Sequence, residues 1–166
     1  MARRNDYSAR YRYSAEQVYA ALSDRAYWDA RTAEMSRHST TRLDSFEVTD
    51  SGFDLVIEHV LARDTLPDIA KTVLKNDLVI TRAESYGTFD GSATGRYTAS
   101  IPAGPGSLHG TIELVDTDTG STLTTRSEAK VSIPFVGGKL EQLILDNLLD
   151  LFRTEAQITA SWLSTD

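Results

Sequence analysis

Apolar and polar residues alternate from the start of the chain: Tyr7, Ala9, Tyr11 and Tyr13 interleave with Asp6, Ser8, Arg10 and Arg12. A period of two predicts a half-buried strand over about Arg3 to Tyr13. Ser14 and Gln17 then have the spacing of a capping box, with Tyr13 and Val18 placed as a hydrophobic staple, so a helix is predicted through Leu22. Ser23-Asp24 starts a second short amphipathic helix carrying Ala26, Tyr27, Trp28 and Ala30. From about Arg37 the period of two returns. Phe46 and Val48 end one strand, Asp50-Ser51-Gly52 supplies a turn, and Phe53, Leu55, Ile57, His59 and Leu61 form one face of the next. Thr65, Pro67 and Asp68 predict one more short helix over Leu66 to about Lys75, with Lys71 and Lys75 at its negative end.

Further strands are predicted at about 78–87, 93–101, 107–115 and 122–133. Their separators are Phe89-Asp90-Gly91, Pro102-Ala103-Gly104-Pro105-Gly106 and Asp116-Thr117-Asp118-Thr119-Gly120. Short turns between successive strands imply an antiparallel meander. In the last strand Leu123, Thr125, Ser127, Ala129, Val131 and Ile133 share one face, while Arg126, Glu128 and Lys130 take the other. One side of the sheet therefore faces water. From about Val136 to Leu163 a continuous helix of roughly 40 Å is predicted, at about 1.5 Å per residue. Leu140, Leu143, Ile144, Leu145, Leu148, Leu149, Leu151, Phe152, Ile158 and Trp162 cover more than half its circumference; Gln142, Asp146, Asp150, Arg153 and Gln157 cover the rest. So broad an apolar arc needs a partner that wraps it. The predicted class is α+β: a curved antiparallel sheet of six or seven strands around a long C-terminal helix, with two short helices after the first strand.

A chain of 166 residues suits one domain spanning 1–166, and 40% hydrophobic with 25% charged residues is ordinary for a packed protein. The absence of cysteine excludes a disulfide scaffold and any thiolate-ligated metal. A net charge of -7 opposes binding to a phosphate backbone, so no nucleic-acid partner is expected. No apolar run follows Arg3-Arg4, and no long uncharged stretch suggests a span, so a cytoplasmic protein without integral membrane association is expected. The terminal helix sets Lys139 and Arg153 against Glu141, Asp146, Asp150 and Glu155, a balance that opposes its lying on anionic lipid.

The stretch from Tyr13 through Ser14, Gln17, Val18, Leu22 and Asp24 to Tyr27-Trp28, and the stretch Val131-Ser132-Ile133-Pro134-Phe135-Val136-Gly137-Gly138-Lys139-Leu140-Glu141, occur in the order strand, two short helices, meander, long helix. In these stretches, and in this order across the whole chain, the sequence resembles an uncharacterised bacterial branch of the START-like superfamily (polyketide cyclase/dehydrase and lipid-transport, or SRPBCC, proteins). The resemblance implies a helix-grip fold with a cavity between sheet and final helix. It implies no single reaction, because members bind hydrophobic molecules, catalyse cyclisations or dock on other proteins.

Among residues with chemistry, Glu155 falls inside the apolar arc, one turn after Leu151. It projects a polar group into a greasy cavity, or stands where the arc opens to solvent near the C-terminus, or pairs with a sheet arginine such as Arg82 or Arg96. His59 shares a strand face with Leu55 and Ile57, as a possible acid or base or as a hydrogen-bonded core residue. His38 and His109 have no ligand-type spacing, and neither a metal site nor a cofactor is expected. Trp28, Tyr86, Tyr97 and Phe152 are large enough to line or lid a pocket. Gly137-Gly138-Lys139 lacks the rest of a P-loop, and its glycines are read as allowing close passage of the chain into the helix. The expected function is binding or carriage of a hydrophobic small molecule, of lipid, isoprenoid or polyketide type. Its expected wall is Trp28, Leu55, Ile57, His59, Tyr97, Leu148, Leu151, Phe152 and Glu155. The alternatives are a cyclase or dehydratase using His59 and Glu155 as acid and base, and a protein-interaction module with a filled interior.

Overall fold

The computed structural model describes residues 2–72, 74–100 and 106–165. Its elements are β1 (Arg3–Tyr11), α1 (Ala15–Leu22), α2 (Arg25–Met35), β2 (Thr40–Thr49), β3 (Gly52–Leu61), a 3-10 turn (Arg63–Thr65), α3 (Asp68–Lys71), β4 (Leu78–Tyr86), β5 (Ala93–Ser100), β6 (Gly106–Thr117), β7 (Gly120–Val131) and α4 (Gly137–Ser164). The seven strands form one antiparallel sheet in the order β1-β7-β6-β5-β4-β3-β2, with α4 against its concave face. This is the wrapped sheet expected from the apolar arc and the helix-grip fold that the resemblance implies. The predicted separator at 102–105 lies outside the described residues.

Local signals place the boundaries. The Ser14 hydroxyl accepts from the Gln17 amide at 3.2 Å while Gln17 Oε1 accepts from the Ser14 amide at 2.9 Å, a complete capping box. Asp24 caps α2 by accepting from the Ala26 amide at 2.9 Å. β7 keeps Thr125, Ser127 and Ala129 buried and Arg126 and Lys130 exposed, as its alternation predicts. α4 runs unbroken for 28 residues. No helix among the described residues is long and apolar enough to cross a membrane.

The helix predicted over Leu66 to Lys75 is a single turn instead. Thr65 belongs to the 3-10 turn and donates its hydroxyl to the Ala62 carbonyl at 2.7 Å, so it caps nothing. Arg63 explains the early stop. Its guanidinium donates to the carbonyls of Lys71 at 3.0 Å and Leu74 at 2.8 Å, taking acceptors that a longer helix would use itself.

Two contacts set where α4 begins. A Cβ on Gly137 would stand 2.4 Å from the Val131 carbonyl, so only glycine lets the chain turn this closely off the end of β7. Four residues on, the buried Glu141 accepts the Val131 amide at 2.8 Å, satisfying a strand-end donor from within the helix. The main core joins α1, α2 and the sheet through Val18, Leu22, Tyr27, Trp28, Phe53 and Leu55; a smaller cluster of Ala129, Leu145 and Leu148 seats the first half of α4.

Candidate functional site

Three elements send charged groups into the space between sheet and helix. On β4 the period of two turns Arg82, Glu84 and Tyr86 inward together. On α4, Phe152, Glu155, Ala156 and Thr159 share the stripe facing the sheet, and on α2 Tyr27 and Arg31 lie one turn apart. Arg31 Nη2 meets Glu155 Oε1 at 2.6 Å, and Arg82 Nη2 meets Glu155 Oε2 at 2.8 Å. Arg82 Nε lies 2.8 Å from Glu84 Oε2, within ion-pair range but out of line for a hydrogen bond, while the Tyr86 hydroxyl donates to Glu84 Oε1 at 2.6 Å. A second chain of bonds ties α2 to α4. Arg31 Nη1 donates to the Tyr27 hydroxyl at 3.3 Å, Tyr27 shares a short hydrogen bond with Thr159, and Thr159 donates to the Glu155 carbonyl at 2.9 Å. The Arg31 guanidinium also lies over the Trp28 ring, 4.4 Å from its centre.

Burial and pairing pull these groups in opposite directions. Burial alone would raise the Glu155 pKa, but the charges of Arg31 and then Arg82, with their hydrogen bonds, outweigh it and hold it down at about 2. Burial would lower the Arg31 and Arg82 values, and Glu155 beside them raises both. Burial pushes the Tyr97 hydroxyl up to about 12 and raises those of Tyr11 and Tyr86. His59 goes the other way: desolvation first, then the Arg82 charge, lower it to about 4, so its imidazole is neutral at pH 7.

A cavity of about 50 Å³ lies against this network. Its wall includes Tyr7, Ala9 and Tyr11 of β1, Leu123 and Thr125 of β7, Tyr97 of β5, and Arg31, Arg82, Glu84, Phe152, Glu155 and Thr159. The volume exceeds the roughly 10–15 Å³ that one water needs and falls far short of the roughly 300–1,000 Å³ of sites that enclose drug-sized ligands. Both arginines are almost wholly buried, at 6% and 3% exposure, yet Arg31 Nε and Arg82 Nη1 have no hydrogen-bond partner. All four carboxylate oxygens of Glu84 and Glu155, by contrast, already face a donor. The spare capacity of the site is donors.

Of the residues that the sequence singles out, Tyr86, Tyr97, Phe152 and Glu155 stand on the cavity wall. The others lie elsewhere in the interior. Trp28 is fully buried and donates Nε1–H to the Leu22 carbonyl at 2.6 Å. Leu55 and Ile57 pack in the main core, while Leu148 and Leu151 belong to the smaller cluster. His59 is buried beside Thr41, with Nδ1 3.5 Å from its hydroxyl and Nε2 without a partner, off the cavity wall. Glu155 pairs with Arg82, one of the two sheet arginines expected; Arg96 falls on the exposed face because Tyr97 next to it points inward. Sequence reasoning missed Arg31, Glu84 and Tyr11. The signal for Arg31 was its spacing of four from Tyr27 and three from Trp28, which puts it on the packed side of α2.

A profile described as "Protein of unknown function (DUF2505)" matches residues 6–163. The chain belongs to the DUF2505 family. Relatives of this DUF2505 chain include the uncharacterized protein Rv0481c of Mycobacterium tuberculosis H37Rv and the uncharacterized protein Mb0491c of Mycobacterium bovis. Each is 36% identical over 174 residues, spanning 100% of this chain and 99% of the relative. Among solved structures, Ara h 8.0201 superposes with a TM-score of 0.60 at 10% identity, covering 100% of both chains. TTHA0849 from Thermus thermophilus superposes with a TM-score of 0.57 at 15% identity, over 99% of this chain and 98% of that one. At such identities the likeness is one of fold, and the fold is compatible with ligand binding.

Proposed function

We propose that this DUF2505 chain is a START-like (SRPBCC-type) cytoplasmic binding protein, which holds a largely apolar small molecule by an acceptor group set against Arg31 and Arg82. The observation that carries this reading is that two buried arginines of the cavity wall, Arg31 and Arg82, keep side-chain nitrogens without hydrogen-bond partners. A buried donor left unsatisfied costs about 1–3 kcal/mol, which a ligand oxygen placed there would offset. The network sets two arginines against two carboxylates, so a neutral acceptor such as a carbonyl completes it, whereas a further anion would add an uncompensated buried charge. Lipid, isoprenoid and polyketide-like molecules bearing a carbonyl have this chemistry. Their tails exceed the space of about 50 Å³, so loading requires side chains or α2 to move outward.

The same small volume favours a second reading, an interaction module with a filled interior. Mass spectrometry under native conditions on protein purified from its own host, before and after organic extraction, separates the two. A retained neutral molecule supports binding. An NMR titration with 2-undecanone, decanoate and undecane tests the chemistry: the ketone is expected to shift resonances of the cavity wall and to bind tightest. If none of the three binds and nothing is retained, the binding reading fails. Tighter binding of decanoate overturns the neutral-acceptor argument alone.

A further inference from the structure

The chain contains four lysines, at 71, 75, 130 and 139, and all four stand at one end of the sheet. The strand pairing fixes this: β1, β2, β4 and β6 begin at that end, and β3, β5 and β7 finish there. Lys71 and Lys75 lie in or beside α3 on the β3–β4 connection, Lys130 is the last but one residue of β7, and Lys139 sits in the first turn of α4. Among the described residues none of the four forms an ion pair. The arginines of the same end are engaged. Arg3 bonds Gln142, Arg4 bonds Glu128, and the Arg63 guanidinium is turned onto main-chain carbonyls. Acids are present too: Asp64 and Asp68 in the β3–β4 connection, and Asp77, whose Oδ1 takes the Arg63 amide at 2.9 Å. At the opposite end the three hairpin turns carry Asp50, Asp90 and Asp118 and no base. A chain of net charge -7 thus presents its unpaired lysines in one place.

Between Lys130 and Lys139 the chain makes a strained turn. The Val136 amide donates to the Pro134 carbonyl at 2.9 Å, closing a three-residue turn around Phe135, whose φ is 70°. Turns of this hand are rare, and Phe135 is the single non-glycine residue with positive φ among those described. Its ring is fully exposed; the one other exposed large apolar residue among those described is Val48, on edge strand β2. On the connections of the same end Ile133, Val136, Leu66, Ile69 and Leu74 are half-buried. Backbone strain and an unburied aromatic ring meet at one residue, so two unfavourable features persist where one glycine would remove both.

We propose that this end of the molecule docks on an anionic lipid surface, with Phe135 entering the acyl boundary and the four lysines lying over the headgroup phosphates. An apolar ring set among unpaired cations suits a bilayer interface, which offers hydrocarbon beneath negative charge. The overall negative charge works against nucleic acid, whose long uniform backbone meets the whole surface, while a lysine end within a Debye length of a bilayer feels mostly its own field. The docking element differs from the apolar stripe of α4, which is packed against the sheet and unavailable. Attachment is peripheral and reversible, and it does not depend on what the cavity holds.

Flotation of the full chain with vesicles tests this. Binding is expected to vesicles of phosphatidylcholine mixed with phosphatidylglycerol, to weaken at high salt, and to be absent from phosphatidylcholine alone. Lys130→Gln and Lys139→Gln should each weaken it about fivefold, the worth of one lysine at such a surface. Phe135→Gly should weaken it about tenfold or more while leaving the melting temperature no lower than wild type, because it removes an exposed ring and the strained φ together. Absence of wild-type binding to the mixed vesicles overturns the proposal. So does binding that neither the lysine variants nor Phe135→Gly reduce, and so does lysine-dependent capture by an acidic protein without capture by vesicles.

Discussion

Arg31 Nη2 lies 2.6 Å from Glu155 Oε1, and this contact joins α2 to α4 across the interior. Both side chains are buried, so neither charge has water to fall back on.

Glu155→Gln is therefore expected to be strongly destabilising. It would leave Arg31 and Arg82 facing each other with one full negative charge, on Glu84, in place of two. Breaking a buried pair on one side costs about 3–5 kcal/mol. Urea unfolding of the variant measures this directly, and a loss below about 1 kcal/mol would show that the network relaxes or admits water freely.

Acid should unfold the protein in two stages. The folded His59 pKa of about 4 lies below its ordinary value of 6.5, so the unfolded chain binds a proton that the fold resists. Stability from this residue is complete above pH 6.5 and is lost as pH falls towards 4. Glu155, at about 2 against 4.5, contributes stability that is complete above pH 4.5 and is lost as pH falls towards 2. Melting temperatures across this range should fall with acid throughout. His59→Asn should flatten the upper stage and leave the lower one; an unchanged upper stage would remove His59 as its source.

The two adjoining glycines at the start of α4 should respond differently to alanine. At Gly137 the new methyl meets the Val131 carbonyl at 2.4 Å, a backbone atom that the sheet holds in place, and a loss of about 1–3 kcal/mol is expected. At Gly138 the nearest atom is Arg3 Nη2 at 3.2 Å, on a flexible side chain, and alanine should be neutral or stabilising by up to about 1 kcal/mol. Equal effects in thermal melts would contradict the close passage.

Tyr86→Phe removes the donor to Glu84 Oε1 without opening a void. The buried carboxylate then loses one of its two partners, and a cost of about 1–3 kcal/mol is expected. Calorimetry on this variant checks whether Glu84 is held by Tyr86 or mainly by Arg82.

Elements with a local signature are legible in the sequence. Ser14 with Gln17, the Asp24 cap, the alternation of β7 and the arc of α4 each follow from contacts within a few residues, and Glu155 stands out because a helix period places it among leucines. The helix predicted over 66–75 ends sooner in the structure because its stop depends on Arg63 reaching main-chain carbonyls eight and eleven residues away. Most of the charged interior was hidden for a related reason. Arg82 and Glu84 alternating with Ala83 and Ser85 look like a solvated strand face, and only the arrival of α4 and Arg31 turns that face into an interior. Leu55 and Ile57 share the inward direction of a cavity wall but lie where α1 and α2 fill the space, and no periodicity encodes how much volume neighbouring side chains leave.

The sheet ends in two free margins, β1 and β2, which never pair with each other. Helices α1 and α2 follow β1 and precede β2 in the chain. Displacing them would sever no strand-to-strand hydrogen bond, but it would open the main core around Val18, Leu22, Tyr27 and Trp28. The Arg31–Glu155 ion pair and the Tyr27–Thr159 hydroxyl contact bind these helices to α4, so this stretch of the fold outside the strand ladder is moored by buried polar groups as well as by apolar packing.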